Sequence, residues 1–288
     1  MGGGTWTRDS FASYTVSKGY DVALDGAVRG INSVQDNFKS RMLAPELNPK
    51  NVIRECVDSS EHPNTKPVIL ALDVTGSMGS AAMEVAKQIN VVMTKLYESV
   101  TDVEFMVMGI GDLAYDQAPI QASQFESDIR IAEQLDKVYF EGGGGGNAYE
   151  SYTAAWYFGL RHTKLDCWNR GQKGVIITMG DEPLNPYLPM AQLSRVTGDN
   201  LQGNIETSEL YKEVSEKFDI YHLNVKHRSS WYGADIPTSF GKYLDDKHYK
   251  DTSVNQIAND IVEIVTNAFA NTNTNANVVV NSNEGISW

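Results

Sequence analysis

The chain has 288 residues, 41% hydrophobic and 21% charged, a balance that suits one large soluble globular domain with extensions. Its net charge of −13 argues against a nucleic-acid surface, which needs concentrated Lys and Arg, and ranks RNA binding below the other readings. Two cysteines, Cys56 and Cys167, without any Cys-x-x-Cys spacing, exclude a disulfide framework, and a reduced, cytoplasmic protein is expected.

Residues 1–66 read as an N-terminal extension. Met1 to Arg8 contains no apolar core of signal-peptide length, and no later run approaches a membrane span. Gly2 invites myristoylation, but the required Ser or Thr falls at Trp6. Trp6, Phe11, Tyr14 and Tyr20 are expected to pack on the following domain, with a short helix around Asp25 to Met42; a partner-docking arm is the other reading. Glu61 to Pro67 is a turn-rich boundary.

Val68 to Leu72 is an apolar run that predicts a strand buried on both faces. It ends at Asp73 and hands over to Thr75 and Ser77, while Ala82, Val85, Ala86, Ile89, Met93 and Leu96 repeat downstream at helical spacing. A carboxylate and two hydroxyls thus collect at a strand's carboxyl end, where open α/β sheets bind ligands, and these oxygens suit a hard cation. The competing reading is a helix cap, with Ser77 or Ser80 satisfying free amides and no metal involved. Asp73-Val-Thr75-Gly-Ser77 resembles the Asp-x-Ser/Thr-x-Ser motif of von Willebrand factor A (VWA) domains. That resemblance implies a metal-ion-dependent adhesion site (MIDAS), whose divalent ion is completed by a partner's carboxylate.

Val103 to Ile110 predicts a second strand, followed by Asp112 and Asp116, which are read as solvated loop acids. Pro119 to Phe125 is a candidate edge strand and Ile129 to Leu135 a short helix. After Lys137 to Phe140 comes Glu141, five glycines at 142–146, then Asn147, Tyr149, Glu150 and Ser151. No Gly-Lys-Ser/Thr follows, so this is not a phosphate loop; a low-complexity linker is the plain reading, yet it abuts a helix bearing Tyr152, Ala155, Trp156, Gly159 and Leu160. The segment is similar to the Gly-Gly-Gly-Asp-x-Pro-Glu loop of bacterial VWA domains, with Glu150 in the Glu position, Asn147 where the pattern has Asp and Tyr149 where it has Pro. A Thr supplies this ligand in the wider family, so the resemblance implies Glu150 as its substitute and Asn147 as a supporting residue.

Gly174 to Met179 predicts another buried strand, running into Gly180, Asp181, Glu182 and Pro183. The resemblance places Asp181 as a ligand, direct or through water, and Glu182 is read as a solvated acid. Asn185 to Gln202 is a surface excursion beside the binding face, and Thr207 or Ser208 is expected to cap a helix. Phe218 to Val225 is a further strand, around which His222 and His227 are read as structural or solvated. Residues 226–250 form a connection of undefined form, and Val254 to Ala268 an amphipathic helix. The Asn-rich tail, 271–288, includes Val278 to Val280, which could pair with another chain.

Together these elements predict a doubly wound, mostly parallel open α/β sheet with helices on both faces over 67–270, of VWA or Rossmann-like type. The metal ligands expected are Asp73, Thr75, Ser77, Glu150 and Asp181, with Asn147, and the ion expected is magnesium, with manganese or calcium as substitutes. The function expected is a non-catalytic protein-binding or scaffold module whose partner presents Asp or Glu, with no nucleic acid and no membrane involved. A metal-dependent hydrolase acting on phosphoesters or nucleotides is the alternative, ranked lower because no positioned base or Lys/Arg phosphate clamp accompanies the loops.

Overall fold

The computed structural model describes residues 4–18, 20–22, 28–30, 40–141, 147, 149–227 and 235–270. Helix α1 (Arg8–Ser17) comes first, then the antiparallel pair β1 (Tyr20–Val22) and β2 (Val28–Gly30), and β3 (Arg54–Cys56). The chain enters its central sheet through β4 (Lys66–Asp73), α2 (Ser80–Leu96), β5 (Val103–Ile110) and β6 (Ile120–Ala122). After α3 (Arg130–Leu135) and α4 (Thr153–Arg161), β7 (Thr163–Leu165) pairs with β3 and β8 (Gly174–Gly180) returns to the sheet. The remainder is β9 (Tyr187–Leu188), α5 (Met190–Thr197), β10 (Ile205–Glu206), α6 (Thr207–Val214), β11 (Phe218–Val225), α7 (Asp235–Phe240), β12 (Tyr249–Thr252) and α8 (Ile257–Ala270).

The six-stranded sheet has the order β12-β11-β8-β4-β5-β6, parallel except for the antiparallel edge strand β6. Alternation along β4 divides the core. Val68, Leu70 and Leu72 face one apolar layer with α2, α3 and α8, whereas Ile69 and Ala71 face the other with α4, α5 and α6. Both faces are covered, which is why β4 and β5 read as continuous apolar runs. The helical repeat downstream of β4 is equally plain, since Ala82, Val85, Ala86, Ile89, Met93 and Leu96 are all fully buried. Trp6 and Phe11 join the same layer, so α1 and its approach pack on the domain.

Strand order reverses beside β4: the chain first builds outward through β5 and β6, then returns to the other side through β8, β11 and β12. Such a reversal opens a crevice at the carboxyl ends of the two strands flanking it. Asp73 closes β4 and Asp181 follows β8, and the β4–β8 ladder runs to Leu72 opposite Met179, so the two acids lie at that crevice.

Several expectations change. The 185–202 excursion contains α5 and, with β10, half of the antiparallel β9–β10 ribbon. The 226–250 connection contains α7 and leads into β12, a polar edge strand with no apolar run to announce it. Thr207 does not cap α6; its hydroxyl donates to the Asn185 carbonyl at 2.8 Å, while Glu206 occupies the cap position without a side-chain hydrogen bond. The helix expected around Asp25 to Met42 falls mostly outside the described residues, and Val28–Gly30 within it is a strand. The tail and its Val278 to Val280 segment lie wholly outside them.

Candidate functional site

Asp73 is fully buried at the end of β4. Its Oδ1 accepts from the Thr75 backbone N–H at 2.9 Å and from Thr75 Oγ1 at 2.6 Å, an Asx-type turn that the two-residue spacing favours. Thr75 Oγ1 lies 3.0 Å from Ser77 Oγ, and Ser77 Oγ donates to Asp181 Oδ1 at 2.9 Å. The first and third loops are thereby joined through two hydroxyls. The helix-cap alternative does not describe these side chains, since the cap of α2 is Gly79, with no side-chain hydrogen bond.

The hydroxyl arithmetic is informative. With both acids ionised, two hydroxyl protons must serve three oxygen–oxygen contacts, so Thr75 and Ser77 turn lone pairs toward each other once they have donated to Asp73 and Asp181. Oxygen lone pairs gathered in this way are what a cation needs.

The second loop reaches the site through Glu150. Its backbone N–H donates to the Pro183 carbonyl at 3.1 Å and it forms a parallel bridge to Leu184, which ties the loop to the segment after Asp181. Glu150 is 6% exposed, and its Oε2 is buried with no hydrogen-bond partner. Burial, with the negative charges of Asp73, Asp112, Asp116 and Glu182 added, pushes the Glu150 carboxyl up to about 11. Burial likewise lifts Asp73 to about 7 against the opposing hydrogen bonds from Thr75. Asn147 is half-buried at the start of this loop. The glycines at 142–146 lie outside the described residues.

Two further residues belong here that the sequence reading did not assign to the site, Tyr152 and His227. Tyr152, fully buried, donates from its hydroxyl to Asp73 Oδ2 at 2.8 Å and accepts from the Glu182 N–H at 3.3 Å. A Cβ on Gly180 would stand 1.9 Å from that hydroxyl, so the glycine before Asp181 is what admits the tyrosine. His227, read as structural or solvated, brings Nε2 to 3.0 Å from Asp181 Oδ2. His222 is buried and structural as expected, stacked on Phe240 at 3.7 Å with Nδ1 2.9 Å from Thr178 Oγ1. Tyr152 was hidden by its helical spacing among apolar neighbours; its polar tip two residues past Glu150 was the available signal.

Asp112 was read as solvated and is instead 2% exposed. Its Oδ1 accepts from the Ala114 N–H at 2.7 Å, whereas Oδ2 is buried without a partner. Burial makes the difference: Asp112 sits in a tight turn with Asp116, whose Oδ2 accepts from the Asp112 N–H at 2.7 Å. Glu182, also read as solvated, is half-buried.

Asp73, Glu150 and Asp112 make no ion pair with Lys or Arg among the described residues. Unpaired buried carboxyls are costly unless neutralised by protons or by a cation. Among the described residues no three His, Cys, Asp or Glu side chains gather closely enough to hold an ion by themselves. An ion here therefore depends on the hydroxyls, and the mixed set of Asp73, Thr75, Ser77 and Asp181 fits a hard divalent cation, with the unpartnered Glu150 Oε2 as a further donor from the second loop. No helix is long and apolar enough to cross a membrane among the described residues.

No protein-family model matches the chain, and no curated protein sequence matches it. Solved structures do. The open conformation of the pilus adhesin SpaC from Lactobacillus rhamnosus GG is similar with a TM-score of 0.50 and 13% identity over 76% of this chain, which spans 31% of the adhesin. The vWF domain of the type V pili tip protein Mfa5 from Porphyromonas gingivalis is similar at TM-score 0.44 and 11% identity, over 76% of this chain and 97% of that one. Proximal thread matrix protein 1 from the mussel byssus, with a zinc-occupied MIDAS motif, is similar at TM-score 0.44 and 10% identity, over 71% of this chain and 48% of its own. At such identities the likeness is one of fold: a mostly parallel central sheet with helices on both faces, of VWA or Rossmann-like type.

Proposed function

We propose that the chain is a non-catalytic binding module in which a divalent cation, held by Asp73, Thr75, Ser77 and Asp181 with Glu150 from the second loop, captures a carboxylate of a protein partner. The observation that carries this reading is the buried, unpartnered Oε2 of Glu150 beside Asp73, in a cluster where neither acid has a basic counterion among the described residues. A cation would neutralise that cluster and put at its centre a positive charge able to accept an oxygen ligand from outside. Magnesium suits the short oxygen donors, and manganese can replace it.

The chain's own residues do the positioning. Tyr152 and Thr75 hold the two oxygens of Asp73, Ser77 bridges to Asp181, and the Glu150–Pro183 backbone hydrogen bond keeps the second loop against the third. A pilus adhesin shares the fold, and binding rather than turnover is the function this arrangement serves best. We propose a cytoplasmic location, a reading supported by the two cysteines, which are buried and free, as in a reduced compartment.

Affinity capture from the native host, with magnesium and with chelator, tests the proposal. A specific protein retained with magnesium and released by chelator supports it. Metal-dependent turnover of phosphoesters or nucleotides that disappears in Asp73→Ala would overturn it in favour of a hydrolase.

A further inference from the structure

A groove of about 540 Å³ opens on the same end of the sheet as Asp73, between the turn at Asn48 to Lys50, the Ala114 to Ile120 loop after β5, and the end of α5. Its walls are tied together. The Asn51 N–H donates to the Thr197 carbonyl at 2.8 Å, which fixes the Lys50 turn to the end of α5, and the Gly111 N–H donates to the Pro119 carbonyl at 3.0 Å, which closes the loop on itself. Its charge is unusual for this protein. Lys50 and Arg195 line it, both exposed and neither ion-paired among the described residues, in a chain whose net charge is −13. The acid in its wall, Asp116, is turned inward and accepts the Asp112 N–H. Tyr115, 57% exposed, offers a large apolar contact at the rim.

Unpaired cations on an acidic surface act on what approaches them, and a partner bearing several acids would otherwise be repelled by the rest of the molecule. From these observations we propose that the Lys50–Arg195 groove binds an acidic segment of the partner, flanking the carboxylate that the cation site captures. This deepens the binding reading above and rests on it. The groove and the cation site are joined through one loop: Asp116 lines the groove and accepts from the Asp112 N–H, and the next residue, Leu113, donates its N–H to Ser151 Oγ at 3.0 Å, beside Glu150. One extended acidic peptide can therefore engage both, the cation site taking one carboxylate and the groove the acids beside it.

The test is fluorescence anisotropy with two labelled peptides of equal length, one an oligo-Glu sequence and the other a Gly/Ser sequence with a single central Glu, in magnesium and in chelator. The oligo-Glu peptide is expected to bind the parent about tenfold more tightly, as rim charge pairs do, with the advantage shrinking as salt rises. The double variant Lys50→Glu/Arg195→Glu should lose that advantage and keep chelator-sensitive binding of the single-Glu peptide; Lys50→Arg/Arg195→Lys should retain it. An oligo-Glu advantage unchanged by the charge reversal, or no binding of either peptide to the parent, overturns the groove assignment. Oligo-Glu binding that ignores chelator and Asp73→Ala but vanishes on charge reversal supports the groove while removing the cation-capture reading, so the two can fail separately.

Discussion

The hydroxyl of Tyr152 donates a 2.8 Å hydrogen bond to Asp73 Oδ2, and it does so only because residue 180 is glycine. Oδ1 is taken by Thr75, so both oxygens of the central acid are oriented before any ion arrives. Preorganisation of this kind raises affinity by removing the cost of ordering the ligands on binding.

Removing the hydroxyl should therefore be felt in two ways. Tyr152→Phe leaves Asp73 Oδ2 buried without that donor, which costs about 1–3 kcal/mol of stability by the usual price of an unsatisfied buried group. It should also weaken magnesium binding by about tenfold, the lower range for loss of a supporting contact. Denaturant unfolding and calorimetry on the same sample check both; unchanged values in the two measurements would show that the contact does not orient the acid.

Gly180→Ala should destabilise the protein by about 1–3 kcal/mol, because the new methyl overlaps the Tyr152 hydroxyl. The damage should shrink only in part in the Tyr152→Phe background, where the ring carbons Cζ and Cε1 still stand 2.6 and 2.7 Å from the new methyl, and further in Tyr152→Leu, which removes the ring. A double-mutant cycle reads this coupling directly, and simple additivity would contradict the geometry.

The pH dependence has a definite sign. Asp73 is lifted from 3.8 to about 7 and Glu150 from 4.5 to about 11, chiefly by burial. Groups whose folded values are raised contribute stability that is full below the unfolded values and lost as pH rises through the folded ones. In chelator, the contribution of this pair should fall as pH rises from about 4 through 7, and fall further toward about 11. Saturating magnesium should reverse the trend and release protons on binding near neutral pH, measurable as a buffer-dependent heat. Binding without proton release would mean that the acids are already ionised in the unloaded protein.

Much of this architecture is legible in the sequence, and the limits are physical. The predicted spans for β5 and β11, Val103–Ile110 and Phe218–Val225, coincide with the observed strands, because strands covered on both faces are dominated by apolar residues, here Val, Phe, Met, Ile and Leu around the few polar positions Glu104, Asp219, His222 and Asn224. The edge strand β12, Tyr-Lys-Asp-Thr, is buried only at Thr252 and offers no such signal. At the site, Asp73, Thr75, Ser77 and Asp181 are brought together by hydrogen bonds from loops 104 residues apart, and the strand-end logic anticipates that convergence. The buried state of Asp112, the Tyr152–Asp73 contact and the approach of His227 to Asp181 depend on how loops fold over the crevice, and local residue patterns do not encode that.

The central claim is that Asp73 anchors a divalent cation, and calorimetric titration of magnesium and manganese into chelator-stripped protein tests it most directly. The parent chain should bind one ion, and Asp73→Ala and Asp73→Asn, each checked by circular dichroism for an intact fold, should bind none at the same concentrations. Binding by folded Asp73→Ala as tight as the parent's would contradict the account.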